Sequence, residues 1–108
     1  GDKKEVTPEF IIEVVADHFN LTPLDIVSQR RNKEIVYPRQ IAMYLCRNMT
    51  DTGLQNIGKS LGGRDHTTIL HGIDKIMNGC SKIESELSKN NETISSTLDI
   101  LKKKINPQ

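Results

Sequence analysis

Hydrophobic residues recur along this chain at alternating spacings of three and four, which is the pattern of amphipathic helices. Thr7-Pro8 and Thr22-Pro23 each open such a stretch with a helix-capping residue and a proline suited to the first helical position. No stretch of the sequence has a pattern that predicts a β-strand. The pattern predicts an all-α bundle of about six helices. Their apolar residues, helix by helix, are Phe10, Ile11, Val14, Val15 and Phe19; Leu24, Ile26 and Val27; Ile41, Ala42, Leu45, Cys46 and Met49; Leu54, Ile57 and Leu61; Ile69, Ile73, Ile76, Cys80, Ile83 and Leu87; Ile94, Leu98, Leu101 and Ile105.

Polar and glycine-containing segments separate the helices. Residues 28–34 do not continue the helical spacing of apolar residues and are expected to form a basic loop or arm. Pro38 is then expected to start the third helix. Gly62-Gly63 ends the fourth helix, and Asp65 caps the fifth. The fourth helix, the glycine turn and the fifth helix together predict a helix-turn-helix. The expected organisation is one domain over 1–108, with a linker remnant at 1–6, the helix-turn-helix at 54–79, a polar break at 88–91 and a final helix at 91–105.

Composition limits the core and locates the positive charge. Hydrophobic residues are 35% of the 108 and there is no Trp, so the core must be small and aliphatic. The net charge is only +1, yet residues 29–47 hold five basic side chains against the single acid Glu34. A local basic patch, rather than the total charge, is what phosphate binding needs.

Several function classes find no support in the sequence. Cys46 and Cys80 lie on apolar faces and are expected to be buried thiols. His66 and His71 would lie about 140° apart on a helix, so they cannot easily share a metal ion. We find no catalytic set, phosphate loop, signal peptide or membrane span. The expectation is a cytosolic, nucleoid-associated protein that is not an enzyme and carries no cofactor.

The chemistry concentrates at the start of the fifth helix, where Gly62–Gly72 passes from a turn into a helical pattern. A carboxylate there can accept from a cytosine amino group, a histidine can bond a base edge, and a threonine methyl can touch the methyl of thymine. Thr68, His71 and Lys75 face outward and can bond phosphates. The alternatives are that Asp65 is only a helix cap and that both histidines are ordinary surface residues.

The basic arm offers a second contact with DNA. Arg30-Arg31-Asn32-Lys33 precedes Tyr37-Pro38-Arg39-Gln40. An arginine in an arm can enter a narrow A·T-rich minor groove. Arg39 and Gln40 are expected to begin a helix and to contact phosphates there. The alternative is a solvated run of charge without a partner.

Four segments are similar to the C-terminal DNA-binding domain (domain IV) of the bacterial replication initiator DnaA. They are Arg30-Arg31, Pro38–Leu45, Ile57-Gly58 and Gly62–His71, and the resemblance extends from about Val6 to Lys104. It implies a helix-turn-helix fold like that of the Trp repressor and binding of short A·T-rich boxes in duplex DNA at replication origins. It further implies base contacts by Arg31, Asp65, His66 and Thr67, and backbone contacts by Arg39, Gln40, Arg47, Arg64, Thr68 and Lys75.

The chain departs from the family at three positions. Gln55 stands where a proline often packs on a thymine methyl, Gly53 replaces a common serine, and Glu34 adds an acid to the arm. The expected partners are double-stranded DNA, the ATP-binding module of the parent protein and protein regulators, with the isolated chain a monomer. The alternatives are a repressor that dimerises on palindromes and a helical module that docks an acidic protein.

Overall fold

Six helices make up the computed structural model, which describes residues 6–82 and 94–106, without the side chains of 79–82. The predicted all-α class is confirmed. The continuation of the fifth apolar stripe to Leu87, the break at 88–91 and the side chain of Cys80 lie outside the described residues. The helices are α1 (Pro8–His18), α2 (Pro23–Val27), α3 (Lys33–Met49), α4 (Leu54–Ser60), α5 (His66–Lys82) and α6 (Ile94–Ile105).

The first two helices begin where their sequence signals predict. The Thr7 hydroxyl accepts the N–H of Phe10 at 3.2 Å. At α2, Thr22 accepts the N–H of Asp25 at 3.2 Å, while the Asp25 carboxylate accepts the N–H of Thr22 at 3.0 Å. These reciprocal bonds form a capping box, which satisfies two amide donors that the helix itself leaves without partners.

The predicted start of α3 at Pro38 is wrong, because the helix begins five residues earlier at Lys33 and contains the proline. The Asn32 carbonyl accepts the N–H of Ile35 at 2.9 Å and that of Val36 at 2.8 Å. Proline inside a helix removes one hydrogen bond and is unfavourable. Burial of Ile35 and Pro38 offsets this loss. Because α3 begins at Lys33, the arm is limited to residues 28–32.

α3 is the centre of the molecule, since it contacts each of the other five helices. The apolar face of α6 is buried against this body, mainly on α1. The five-residue α2 directs Ile26 into the core, whereas Leu24 of the same helix is 78% exposed. Cys46 is the buried free thiol expected, and burial raises its pKa to about 12. No described helix is long and apolar enough to cross a membrane.

Glycines allow the backbone to fold tightly between α4 and α5. The Gly58 carbonyl accepts the N–H groups of Gly63 and Arg64, each at 2.9 Å. A Cβ on Gly58 would overlap the carbonyl oxygen of Arg64. Gly62 and Gly63 have φ angles of +86° and +82°, the left-handed region that glycine adopts without strain. These contacts confirm that the glycine pair ends α4, and they set the turn before α5.

Substitution of Gly58 by alanine tests this close contact. We expect Gly58→Ala to lower the free energy of unfolding by about 1–3 kcal/mol, because the overlap with backbone outweighs the better helix propensity of alanine. Urea denaturation followed by circular dichroism measures the change. Gly53→Ser is the matched control, since a Cβ there meets no atom of the described residues within 4 Å and serine is a good N-cap. Equal stability of both variants would contradict the prediction.

Candidate nucleic-acid interface

Asp65 organises the first turn of α5. Its carboxylate accepts the N–H of Thr68 at 2.8 Å, and its carbonyl accepts the N–H of Ile69 at 3.2 Å. The cap predicted from the sequence is therefore present. The hydrogen bonds from Thr68 lower the pKa of the carboxyl group, with a smaller contribution from His66, so Asp65 is ionised at neutral pH.

The outer face of α5 presents the polar residues predicted for it. Ile69, Ile73 and Ile76 are buried on the inner face. The exposed polar side chains of α5 are His66, Thr67, Thr68, His71, Asp74, Lys75 and Asn78; Leu70 and Met77 are exposed as well.

A groove between α3 and α5 brings together much of the predicted backbone-contact set. Gly72 lies at its base, where a Cβ would overlap the sulfur of Met43, so glycine lets the two helices approach closely. We call this surface the α3–α5 groove. Its lining includes Val36, Arg39, Gln40, Met43, Arg64, Thr68, His71, Gly72 and Lys75.

A second depression adjoins the α5 tip and the start of α4. It brings Arg47 of α3 close to His66, although these residues are 19 positions apart in the chain. We call it the α4–α5 depression. Asn56 also lines it and was not among the predicted site residues; its one sequence signal is the adjacent pair of exposed amides, Gln55-Asn56, in the first turn of α4.

The shortened arm places Arg30 and Arg31 on the surface. The N–H of Arg30 donates to the Ser28 hydroxyl at 3.3 Å, and its guanidinium lies 3.7 Å from the Asp25 carboxylate. Arg31 is exposed just before α3 begins, the position expected of an arm residue that reaches for DNA.

Arg39 does not lie on the surface. It is 5% exposed, and its guanidinium donates to the carbonyls of Ile26 at 2.7 Å, Ser28 at 2.8 Å and Arg30 at 2.9 Å. This geometry argues against the phosphate contact expected of Arg39. The expectation assumed that Arg39 begins α3, whereas the earlier start at Lys33 places it in the second turn, facing the loop.

Arg64 reaches the same loop from the turn before α5. Its guanidinium donates to the carbonyls of Leu61 and Ser28, the latter at 2.5 Å, and more weakly to Val27 at 3.4 Å. Burial lowers the pKa of Arg64. Burial, followed by the charge of Arg64, lowers the pKa of Arg39 to about 10. Arg39 therefore keeps its charge at neutral pH.

The lowered pKa of Asp65 predicts a pH-dependent contribution to stability. Because its folded pKa lies below the usual 3.8, the contribution is present above that pH and is lost as the pH falls through the folded pKa. Asp65→Asn keeps a capping side chain but does not titrate. We expect wild type to lose more unfolding free energy than this variant between pH 5 and about pH 2. Urea denaturation at each pH tests this, and parallel curves would contradict it.

Comparison with known proteins gives a consistent assignment. The bacterial DnaA protein helix-turn-helix family matches residues 8–76. The chain is 48% identical over 106 residues to the chromosomal replication initiator protein DnaA of Lachnoclostridium phytofermentans, covering 98% of this chain and 22% of that protein. The DnaA of Treponema pallidum is 43% identical over 102 residues, covering 94% and 20% respectively.

A third relative, the DnaA of Mesorhizobium japonicum, is 43% identical over 108 residues, which is 100% of this chain and 20% of that protein. The chain thus spans about a fifth of the length of these relatives. The matched region includes α4, the glycine turn and the capped, exposed tip of α5. The chain belongs to the bacterial DnaA helix-turn-helix family.

Proposed function

We propose that this chain binds double-stranded DNA sequence-specifically and reads short A·T-rich boxes at a bacterial replication origin, as the DNA-binding part of an initiator. The observation that carries the proposal is the capped tip of α5, which exposes His66 and Thr67 at the end of a helix-turn-helix. In such motifs the second helix enters the major groove with its N-terminal end toward the bases. Family membership supports the same function.

Base recognition is assigned to both grooves. The Asp65 cap uses one carboxylate oxygen, and an ionised carboxylate has about four acceptor sites, so it can also accept from a cytosine amino group. His66 bonds a base edge, and the methyl of Thr67 contacts a thymine methyl. Arg31 enters the neighbouring minor groove, where A·T-rich sequence concentrates negative potential.

Phosphate contacts flank the recognition helix. A helix in the major groove has a sugar–phosphate strand on either side of it. The α3–α5 groove supplies Gln40, Thr68, His71 and Lys75 for these contacts, and the α4–α5 depression supplies Arg47. Arg64, which also lines the α3–α5 groove, adds positive charge there, and the positive end of the α5 dipole favours phosphate near its first turn. These groups orient the domain without reading sequence.

The packing of α6 bears on the oligomeric state of the chain. Because the apolar face of α6 is buried within the chain, it is not available as a dimer face. We therefore propose a monomer on each box. The chain is a helix-turn-helix module rather than a catalytic one, and in the longer initiator an ATP-binding module would supply the nucleotide chemistry.

The base-reading roles predict sequence-dependent losses. Arg31→Ala, Asp65→Ala and His66→Ala should each weaken binding to a one-box duplex by about 1–3 kcal/mol, with little change on a scrambled duplex of equal composition. Fluorescence anisotropy with labelled duplexes measures both. Asp65→Ser separates capping from reading, because serine also caps a helix but lacks the carboxylate. Equal losses on both duplexes for Asp65→Ala would contradict its base contact.

The phosphate roles predict uniform losses. Thr68→Ala and Lys75→Ala should weaken binding to box and scrambled DNA alike. Lys75→Ala should also reduce the slope of log K against log salt by about 1, since one fewer counterion is released. Titrations at several salt concentrations give the slope. A loss confined to the box duplex would show that Lys75 reads sequence instead.

The proposal as a whole depends on one comparison. We expect the unmodified chain to prefer the one-box duplex over the scrambled duplex at both low and high salt, because contacts to base edges survive screening better than contacts to phosphates. Equal and salt-sensitive binding to the two duplexes would overturn sequence-specific recognition.

A further inference from the structure

We propose that Arg39 and Arg64 are positioning residues that fasten the arm carrying Arg31 to the turn before α5, so that the minor-groove and major-groove readers approach DNA as one rigid unit. The inference rests on the proposed function and adds to it. Neither arginine needs to touch a base in this arrangement, since each acts through the loop that it holds.

The central contact is a single carbonyl group. The Ser28 oxygen accepts from Nη2 of Arg39 at 2.8 Å and from Nη2 of Arg64 at 2.5 Å. Arg39 belongs to α3, and Arg64 belongs to the helix-turn-helix turn. One backbone oxygen of the arm is therefore tied to both elements. We call these three residues the Ser28 clamp.

The two arginines of the clamp also hold carbonyls on either side of Ser28, from the end of α2 into the arm. Arg39 also holds the carbonyls of Ile26 at 2.7 Å and Arg30 at 2.9 Å, and Arg64 also contacts the Val27 carbonyl at 3.4 Å. Four of the five consecutive carbonyls from residue 26 to residue 30 thus accept from one of the two guanidinium groups. Arg31 follows directly after this held segment.

The glycine turn presses against the same segment. A Cβ on Gly62 would overlap the carbonyl oxygen of Val27, so only glycine permits this approach of the turn to the loop. Arg64 is two residues further along and is followed at once by Asp65 and His66. The Arg30 carbonyl that Arg39 holds is therefore one residue before Arg31, and Arg64 is one residue before Asp65.

The choice of arginine has a chemical reason. A guanidinium presents five N–H donors in a rigid planar fork, so it can bond several carbonyls at fixed directions. A lysine ammonium carries the same charge at a single point and cannot span them. The two arginines are close enough for the charge of one to lower the pKa of the other. Apolar side chains would avoid that cost but would leave the loop carbonyls without donors.

Rigid coupling has a measurable consequence for DNA binding. Once α5 is docked in the major groove, a fastened arm holds Arg31 at a high effective concentration beside the minor groove. A loosened arm must be ordered at the moment of binding, and this entropic cost reduces the contribution of Arg31 to the affinity for DNA. The contribution of Arg31 should therefore depend on the clamp.

The test is a mutant cycle on the box duplex. We expect Arg31→Ala to reduce affinity by about tenfold or more in the wild-type chain, and by less than about threefold in an Arg64→Lys background. Arg64→Lys keeps the charge and removes only the fork. Lys103→Gln is the control background, since Lys103 is exposed on α6 and away from the clamp. There the full effect of Arg31→Ala should remain.

Base analogues make the test specific to one groove. Replacing adenine by 2,6-diaminopurine adds an amino group to the minor groove, whereas replacing A·T by inosine·C changes the major-groove pattern instead. Arg64→Lys should become less sensitive than wild type to diaminopurine and should keep its sensitivity to inosine. A general loss of structure would reduce both sensitivities together.

A second readout needs no DNA. Trypsin cleaves after Arg30 and Arg31, and the clamp should protect these bonds in the free chain. We expect Arg64→Lys to accelerate cleavage there selectively. Ile11→Val is the control for lost stability, because it thins the buried core in α1 without touching the clamp. Ile11→Val should not selectively accelerate cleavage after Arg30 and Arg31.

The outcomes separate this inference from the proposed function. Equal effects of Arg31→Ala in the wild-type and Arg64→Lys backgrounds would overturn the coupling even if the box is preferred. Absence of any box preference would overturn the DNA-binding proposal instead. In that case the clamp is judged by proteolysis alone, where selective cleavage in Arg64→Lys supports it and unchanged cleavage overturns it.

Discussion

The close backbone contact at Gly58 and Gly62 is the constraint on which the rest of this structure depends. The Gly58 carbonyl accepts the N–H groups of Gly63 and Arg64, and the missing side chains let the turn lie against α4 and the end of α2. Only with the backbone this close can Arg64 reach the loop carbonyls. Recognition helix, turn and arm thus take their relative positions from contacts that a single methyl group would disturb.

The positions of the basic side chains matter more in this molecule than its total charge. The chain carries a net charge of only +1. Part of its basic content is used internally, where Arg39 and Arg64 bind carbonyl groups rather than carboxylates. Arg31, Arg47 and Lys75 remain exposed. The domain can therefore present a local positive surface to DNA while remaining nearly neutral overall.

The departures from the sequence predictions share one cause. The helical period identifies which face of a helix is apolar. It does not show how far along the chain that face finds other helices to pack against. Burial of Ile35 extends α3 past the boundary that Pro38 suggested. The same extension turned Arg39 inward, so that its guanidinium faces the loop carbonyls rather than solvent.

The sequence by itself determined the helical class, the caps at Thr7, Thr22 and Asp65, the glycine turn and the polar outer face of α5. Each of these depends on local geometry, so a short stretch of residues carries the whole signal. Only the tertiary structure decided that Arg39 is buried, that Arg47 lies near His66 and that Ser28 joins two arginines. Those contacts join segments up to 36 residues apart, and their distances depend on how α3 packs against its neighbours.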